Sequence, residues 1–232
     1  MNNTLELYID GDKKNPIQFT TKRIINAGYT GRNQEEVMKH IEELKQIGVP
    51  APDKIPTYFP KAAYALTTGH ECDVIDTENT GEAEYVLLIT EDSIYVAAGS
   101  DHTDRKLEES SIPKAKQMHP NFISADVWRF EEVKDQWDEI KLRAYIGKNR
   151  EQVYQSTTLD AFMPPDELMD RVAQALKGGI QPGDVIFSGT VGALVEGMPF
   201  SERFEVELTD EKRNQTLNTH YHLNLIDWLK EE

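Results

Sequence analysis

The chain contains one cysteine, Cys72, so no disulfide can form within it. A lone thiol fits a reducing, cytoplasmic setting. Long apolar runs are missing as well. No stretch reaches the roughly 18 apolar residues that a membrane-spanning helix needs, so no membrane association is expected. The opening MNNTLELYIDG lacks a basic flank followed by an apolar segment, so no secretory leader is expected. Basic residues are scarce: 25 Lys and Arg stand against 41 Asp and Glu, a formal charge of −16. Nucleic-acid binders draw affinity from neutralising phosphates, so this balance argues against a nucleic-acid partner. It also disfavours anionic membrane surfaces. No internal repeat or low-complexity tract is visible. What is present is enough to fold: hydrophobic residues make up 38% and aromatics 9% of 232 residues, which excludes a disordered acidic tail.

Periodicity and turn chemistry predict the elements. A strand near Thr4–Ile9, a polar turn over Asp10–Pro16 and a strand near Ile17–Thr20 read as a hairpin. Gly28 to Arg32 reads as a loop. A helix is expected over Asn33–Ile47. Asn33 can cap it, Glu36 can return the capping bond, and Val37, Ile41 and Leu44 form its apolar face. Gly48, Pro50 and Pro52 stop it. Gly81–Gly99 reads as a hairpin turning at Glu91-Asp92, and Phe130–Arg143 is left undecided. Pro164–Leu176 reads as a helix. Gln181-Pro182-Gly183-Asp184 is a turn into a strand at Val185–Ser188, with further strands at Phe204–Leu208 and His220–Leu225. Strands outnumber helices, which predicts an α+β, sheet-rich fold with few helices.

Three constellations carry possible chemistry. Glu82 and Glu84 share one face of a strand. A turn near Thr90–Asp92 brings Ser100 or Asp101 opposite Glu82, with strands about 4.8 Å apart. Three carboxylates so close repel one another unless a cation lies between them. Their oxygens suit a hard ion such as Mg²⁺, with Mn²⁺ or Ca²⁺ as substitutes. The plain alternative is an exposed acidic strand face. His40 and Glu43, at i and i+3 of a helix, could pair as a general base and its orienting carboxylate, or be an ordinary surface pair. Gly189-Thr190-Val191-Gly192 follows a strand and could hold a carboxylate by a hydroxyl and backbone amides, or be a simple turn. No Gly-Lys-Ser/Thr follows, so it is not a Walker loop. Among weaker features, Cys72 is expected to pack rather than react. His220 and His222 share a strand face but lack a visible third ligand for a transition metal.

These pieces occur in a telling order. The sequence resembles the fumarylacetoacetate hydrolase-like superfamily from about Gly31 to about Leu208, and within it an uncharacterised branch known as a domain of unknown function. The resemblance rests on Gly31-Arg32-Asn33, on His40-Ile41-Glu42-Glu43 and on Glu82-Ala83-Glu84. It rests further on Asp101-His102-Thr103-Asp104-Arg105, Lys116 and Pro182-Gly183-Asp184-Val185-Ile186 with Gly189-Thr190. No one motif is specific; the order of five is. Val191 stands where the family has proline, the gap from Asn33 to His40 is longer than usual, and His102 inside the acidic loop could add a ligand or a proton carrier.

The resemblance implies a mixed β-sandwich roll, forming a single catalytic domain over 1–232 with an N-terminal hairpin over about 1–30 and a core over about 31–210. It implies that Glu82, Glu84 and Asp101 hold Mg²⁺ and that His40 with Glu43 activates water. Arg105, Lys116, Gly189 and Thr190 are then expected to contact a small anionic oxo-acid substrate. The expected reaction is hydrolysis of a C–C bond in a 2-oxo or 1,3-dicarbonyl acid resembling an acylpyruvate. A decarboxylase or tautomerase using the same ion is the first alternative, and a non-catalytic metal or small-acid binder the second. A homodimer is expected from the same resemblance.

Overall fold

Every residue of the strand Ala83–Ile89 is buried, which explains why its sequence, apart from Glu84, is apolar on both faces rather than alternating. It pairs antiparallel with Ile94–Asp101, from Ala83 opposite Ser100 to Ile89 opposite Ile94. Thr90 closes the turn as expected, its amide and hydroxyl donating to the Ser93 carbonyl at 3.0 and 2.7 Å. This hairpin lies at the centre of the computed structural model, which describes residues 3–46, 52, 54–197 and 199–229.

Around the hairpin runs a ten-stranded mixed sheet. Its main path is Ile17–Thr21, Asn3–Ile9, Asp126–Arg129, Ile94–Asp101, Ala83–Ile89, Asp184–Phe187, Arg23–Gly28 and Thr57–Lys61. Asn121–Ile123 and Leu66–Thr67 branch from it. A five-stranded sheet runs Gln152–Thr158, Lys141–Ile146, Arg203–Asp210, Gln215–Leu225 and Glu71–Val74. One face of the central hairpin, carrying Tyr85, Leu87, Val96 and Ala98, packs with Leu142, Val206 and Leu208 of the second sheet. The other face, carrying Val86, Leu88, Tyr95 and Ala97, packs with Leu7, Ile24 and Phe187. The fold is thus sheet-rich with few helices, as expected.

The predicted turn Gln181–Asp184 has a clear physical basis. Gly183 takes φ +97°, a conformation glycine adopts without strain. Asp184, fully buried, then receives Arg23 through two side-chain hydrogen bonds and the Gln181 amide through a third. These contacts lock Asp184–Phe187 in parallel register with Arg23–Gly28.

The first helix covers Gln34–Gln46, and Asn33 caps it by accepting the Glu35 amide at 3.1 Å. Ile41 is buried, as its face predicts. The side chains of Glu36 and Leu44, with Gly48 and Pro50, lie outside the described residues. The second long helix, Pro165–Ala175, falls within one residue of its expected bounds and buries Leu168 and Val172 one turn apart. No helix among the described residues is long and apolar enough to cross a membrane.

The undecided stretch Phe130–Arg143 divides into a short helix at Phe130–Val133, a 3-10 segment at Lys134–Glu139 and a strand from Lys141. The expected strands at Phe204–Leu208 and His220–Leu225 are parts of a longer antiparallel pair, Arg203–Asp210 with Gln215–Leu225. Several strands are too short or too weakly patterned to be read locally: Thr57–Lys61, the four-residue Glu71–Val74 and Gln152–Thr158 form because the sheets offer them partners.

Candidate metal centre

The turn allowed two registers, and the observed one places Asp101 across from Glu82: the Asp101 amide donates to the Glu82 carbonyl at 3.2 Å. Side-chain alternation then sets Glu82, Glu84 and Asp101 on one face, continuing the row of Val86 and Leu88. Gly99 stands opposite Glu84. A Cβ at Gly99 would come within 2.4 Å of Val86 Cγ2, so the row packs tightly beneath the acids. Each of the three residues offers one carboxylate oxygen within 4.8 Å of the others. No other group of histidine, cysteine or acidic residues among the described residues comes so close together.

Cations converge on these acids. Lys116, from the short helix Ile112–Met118, donates to Asp101 Oδ2 at 2.6 Å and to Glu82 Oε2 at 2.8 Å. Arg105 opens a helix capped by Asp104 and donates to Glu82 Oε1 at 2.8 Å, Glu108 Oε2 at 2.9 Å and Thr80 Oγ1 at 2.7 Å. Lys61, whose side chain is 1% exposed, lies 3.4 Å from Asp101 Oδ1 and donates to Asn121, which in turn donates to Asn26 at 2.8 Å.

The charges divide unevenly. Burial opposes ionisation of Glu82, but Lys116 and Arg105 outweigh it and pull its carboxyl down to about 2. Burial, reinforced by the Asp101 carboxylate, pushes Glu84 well above the usual carboxylate range. Burial works against the Lys116 ammonium, yet Asp101 and Glu82 hold it charged. Among the described residues Glu84 has no cation partner of its own, whereas Glu82 and Asp101 do. The all-oxygen donor set fits a hard divalent ion.

The Gly189–Thr190 turn reaches the same acids. Gly189 takes φ +83°, and a Cβ there would lie 2.4 Å from Thr30 Oγ1 and 2.9 Å from the Ala27 carbonyl. Only glycine therefore lets its amide donate to Glu84 Oε2 at 2.7 Å. The Thr190 hydroxyl donates to the Ala83 carbonyl at 2.9 Å and accepts Gln155 Nε2 at 2.8 Å, so in this state its hydrogen is engaged by the protein.

A cleft of about 670 Å³ joins these parts. Glu82 and Lys116 face its inner wall, with Glu108, Thr190, Tyr29 and Arg32 around them. Arg32 is held by Asp138 through two bonds of 2.8 and 2.6 Å and by the Phe162 carbonyl at 3.0 Å. Tyr29 sits at φ +58°, an uncommon backbone conformation for a bulky residue. The first helix borders the cleft through Val37; the side chains of His40 and Glu43 lie outside the described residues.

The sequence left the role of His102 open, as a further ligand or a proton carrier; in the fold both of its ring nitrogens have protein partners. Nε2 lies 3.0 Å from Asn79 Oδ1, and Nδ1 lies 2.9 Å from the Tyr221 hydroxyl. Burial, with His119 next, holds the ring neutral. Tyr221 also meets Ser100 Oγ at 2.9 Å, so the ring anchors the acidic loop to the second sheet. Lys61, Gln155 and Tyr29 escaped the sequence reading. Only the placement of Lys61 at the end of an apolar Tyr-Phe-Pro run hinted at burial.

Solved structures share this architecture. A 2-keto-3-deoxy-D-arabinonate dehydratase in its apo form superimposes with TM-score 0.63 over 90% of this chain and 77% of its own, at 15% identity. The same enzyme complexed with magnesium and 2,5-dioxopentanoate gives 0.60 over 90% and 77%, also at 15%. A 4-oxalocrotonate decarboxylase from Pseudomonas putida G7, complexed with calcium and acetate, gives 0.57 over 87% and 76%, at 15% identity. These likenesses establish the fumarylacetoacetate hydrolase-like fold. No curated protein matches the sequence. The family model that matches spans residues 27–221, and the chain belongs to that family, described as protein of unknown function (DUF2848).

Proposed function

We propose that the protein is a divalent-metal-dependent enzyme that cleaves a C–C bond in a small 2-oxo or 1,3-dicarbonyl acid. The observation that carries this reading is the meeting of Glu82, Glu84, Asp101 and Lys116 beside one cleft, which Glu82 and Lys116 line while Glu84 and Asp101 lie buried behind them. Glu82, Glu84 and Asp101 would hold Mg²⁺, with Mn²⁺ or Ca²⁺ as substitutes. The bound ion would act as a Lewis acid, polarising an oxo group and stabilising enolate charge. Arg105 and Lys116 bind the substrate's carboxylate and partly neutralise it. Arg105 also holds Glu82 in place through its bond at 2.8 Å. Gly189 and Thr190 border the bound acid, with the Gly189 amide fixing Glu84. His40, oriented by Glu43, takes a proton from the water that attacks the second carbonyl.

A lyase is the second reading, a decarboxylase or tautomerase that reaches the same enolate without attacking water. It is favoured by a dehydratase and a decarboxylase among the neighbours of this fold.

A turnover screen of acylpyruvates, oxaloacetate and related oxo acids, with and without chelator, tests the proposal. Turnover that chelator abolishes, and that Glu82→Gln lowers at least a hundredfold, is the expected result. His40→Ala separates the readings: a hydrolase loses turnover with metal still bound, and a lyase that does not need the water keeps it. If every acid is inert while Mg²⁺ binds normally, the enzymatic reading fails.

A further inference from the structure

His220 and His222 stand two residues apart on the strand Gln215–Leu225 and project from its outer face, with ring centres 6.4 Å apart. The sequence shows this pair but no third partner. Folding supplies one. His70, just ahead of the neighbouring strand Glu71–Val74, stacks on His220 with ring centres 4.5 Å apart and planes 19° from parallel. His70 and His220 are separated by 150 positions in the chain, so only the parallel pairing of these two strands brings them together.

The hydrogen bonding selects a useful tautomer. His70 Nδ1 lies 2.8 Å from the His220 backbone carbonyl. A carbonyl can only accept, so Nδ1 carries the hydrogen and Nε2 keeps its lone pair. This is how metal-binding imidazoles are usually oriented: one nitrogen bonds to a carbonyl and the other is free to ligate. The backbone beneath is fixed, since the His222 amide donates to the His70 carbonyl at 2.8 Å.

The surroundings suit a cation. Glu71 lies opposite His222, and Glu205 lies opposite His220. Arg203, also opposite His222, is paired with Glu205. Burial, followed by Arg203 and His70, lowers the His220 pKa and keeps its lone pair available. Two imidazoles on one tetrahedral ion stand with ring centres about 5 Å apart, given metal–nitrogen distances of about 2.0–2.1 Å. The observed separations fall on either side of that value, so binding requires the exposed His70 and His222 rings to turn toward the half-buried His220.

We propose that His70, His220 and His222 form a binding site for a first-row transition-metal ion of the Zn²⁺, Ni²⁺ or Cu²⁺ class. The ion clamps Glu71–Val74 to Gln215–Leu225. Imidazole ligands favour these borderline ions, whereas the acidic centre favours hard ones, so the two sites are chemically distinct.

Calorimetric titration of Ni²⁺ into the full, untagged chain in millimolar Mg²⁺ tests the site. Expected are a single Ni²⁺ site and a rise in melting temperature on binding. His220→Ala should weaken it at least tenfold, with His222→Asn as an independent variant at an exposed position. Glu82→Gln should leave Ni²⁺ affinity within twofold. A parent chain that takes up no Ni²⁺, or histidine variants that bind it as tightly as the parent, would overturn the proposal.

Discussion

Lys116 Nζ lies 2.6 Å from Asp101 Oδ2, so a buried ammonium occupies one side of the carboxylate cluster. The same nitrogen reaches Glu82 at 2.8 Å, which leaves two of the three acids already paired with a cation. An ammonium and a divalent ion compete for the same oxygens.

That competition predicts opposite effects of Lys116→Met on two measurable quantities. Without metal, removing one partner of a buried charge pair should cost about 3–5 kcal/mol of stability. Mg²⁺ affinity should instead rise several-fold, and added Mg²⁺ should raise the variant's melting temperature more than the parent's. Scanning calorimetry with and without Mg²⁺ reads both. An equal Mg²⁺ response in the two proteins would show that Lys116 and the ion do not compete.

Arg23 and Asp184 predict a structural effect remote from the acids. Asp184 is fully buried and its carboxylate depends on Arg23, with Nε to Oδ1 at 2.7 Å and Nη2 to Oδ2 at 2.5 Å. Arg23→Met strands that carboxylate and should destabilise the fold by about 3 kcal/mol, read as a lower urea midpoint at unchanged slope. A midpoint within error of the parent would show that water solvates Asp184 as well as Arg23 does.

Cys72 is 2% exposed, and burial, then the Asp73 carboxylate, pushes its thiol up to about 12. The thiolate is the reactive form, so the native thiol should resist Ellman's reagent at pH 8 and react within minutes in denaturant. Rapid labelling of the folded protein would contradict this packing.

The separation between what was legible and what was not follows the range of each interaction. Glu82, Glu84 and the Asp101 partner could be placed from the sequence because strand alternation and a tight turn act over a few residues. The same holds for Asn33 as a cap and for the Gly183 turn. The aliphatic residues of Ala83–Ile89 marked a strand for the same reason, while its burial on both faces showed only in the fold. Glu71–Val74 was illegible because its alternation covers only four residues, and Gln152–Thr158 because its polar residues commit to no pattern until a neighbouring strand supplies hydrogen-bond partners.

The sequence by itself therefore determined the acidic row, the helix starts and the turn chemistry, since local sterics and periodicity encode them. Tertiary structure alone decided that Lys61 and Lys116 meet Asp101, that Gly189 braces Glu84, that His102 turns away, and that His70 joins His220. Those groups lie between 15 and 150 positions apart where they meet. Such contacts arise only when whole sheets pack, because buried area and hydrogen-bond partners from distant segments must together outweigh the entropy of bringing the chain ends together.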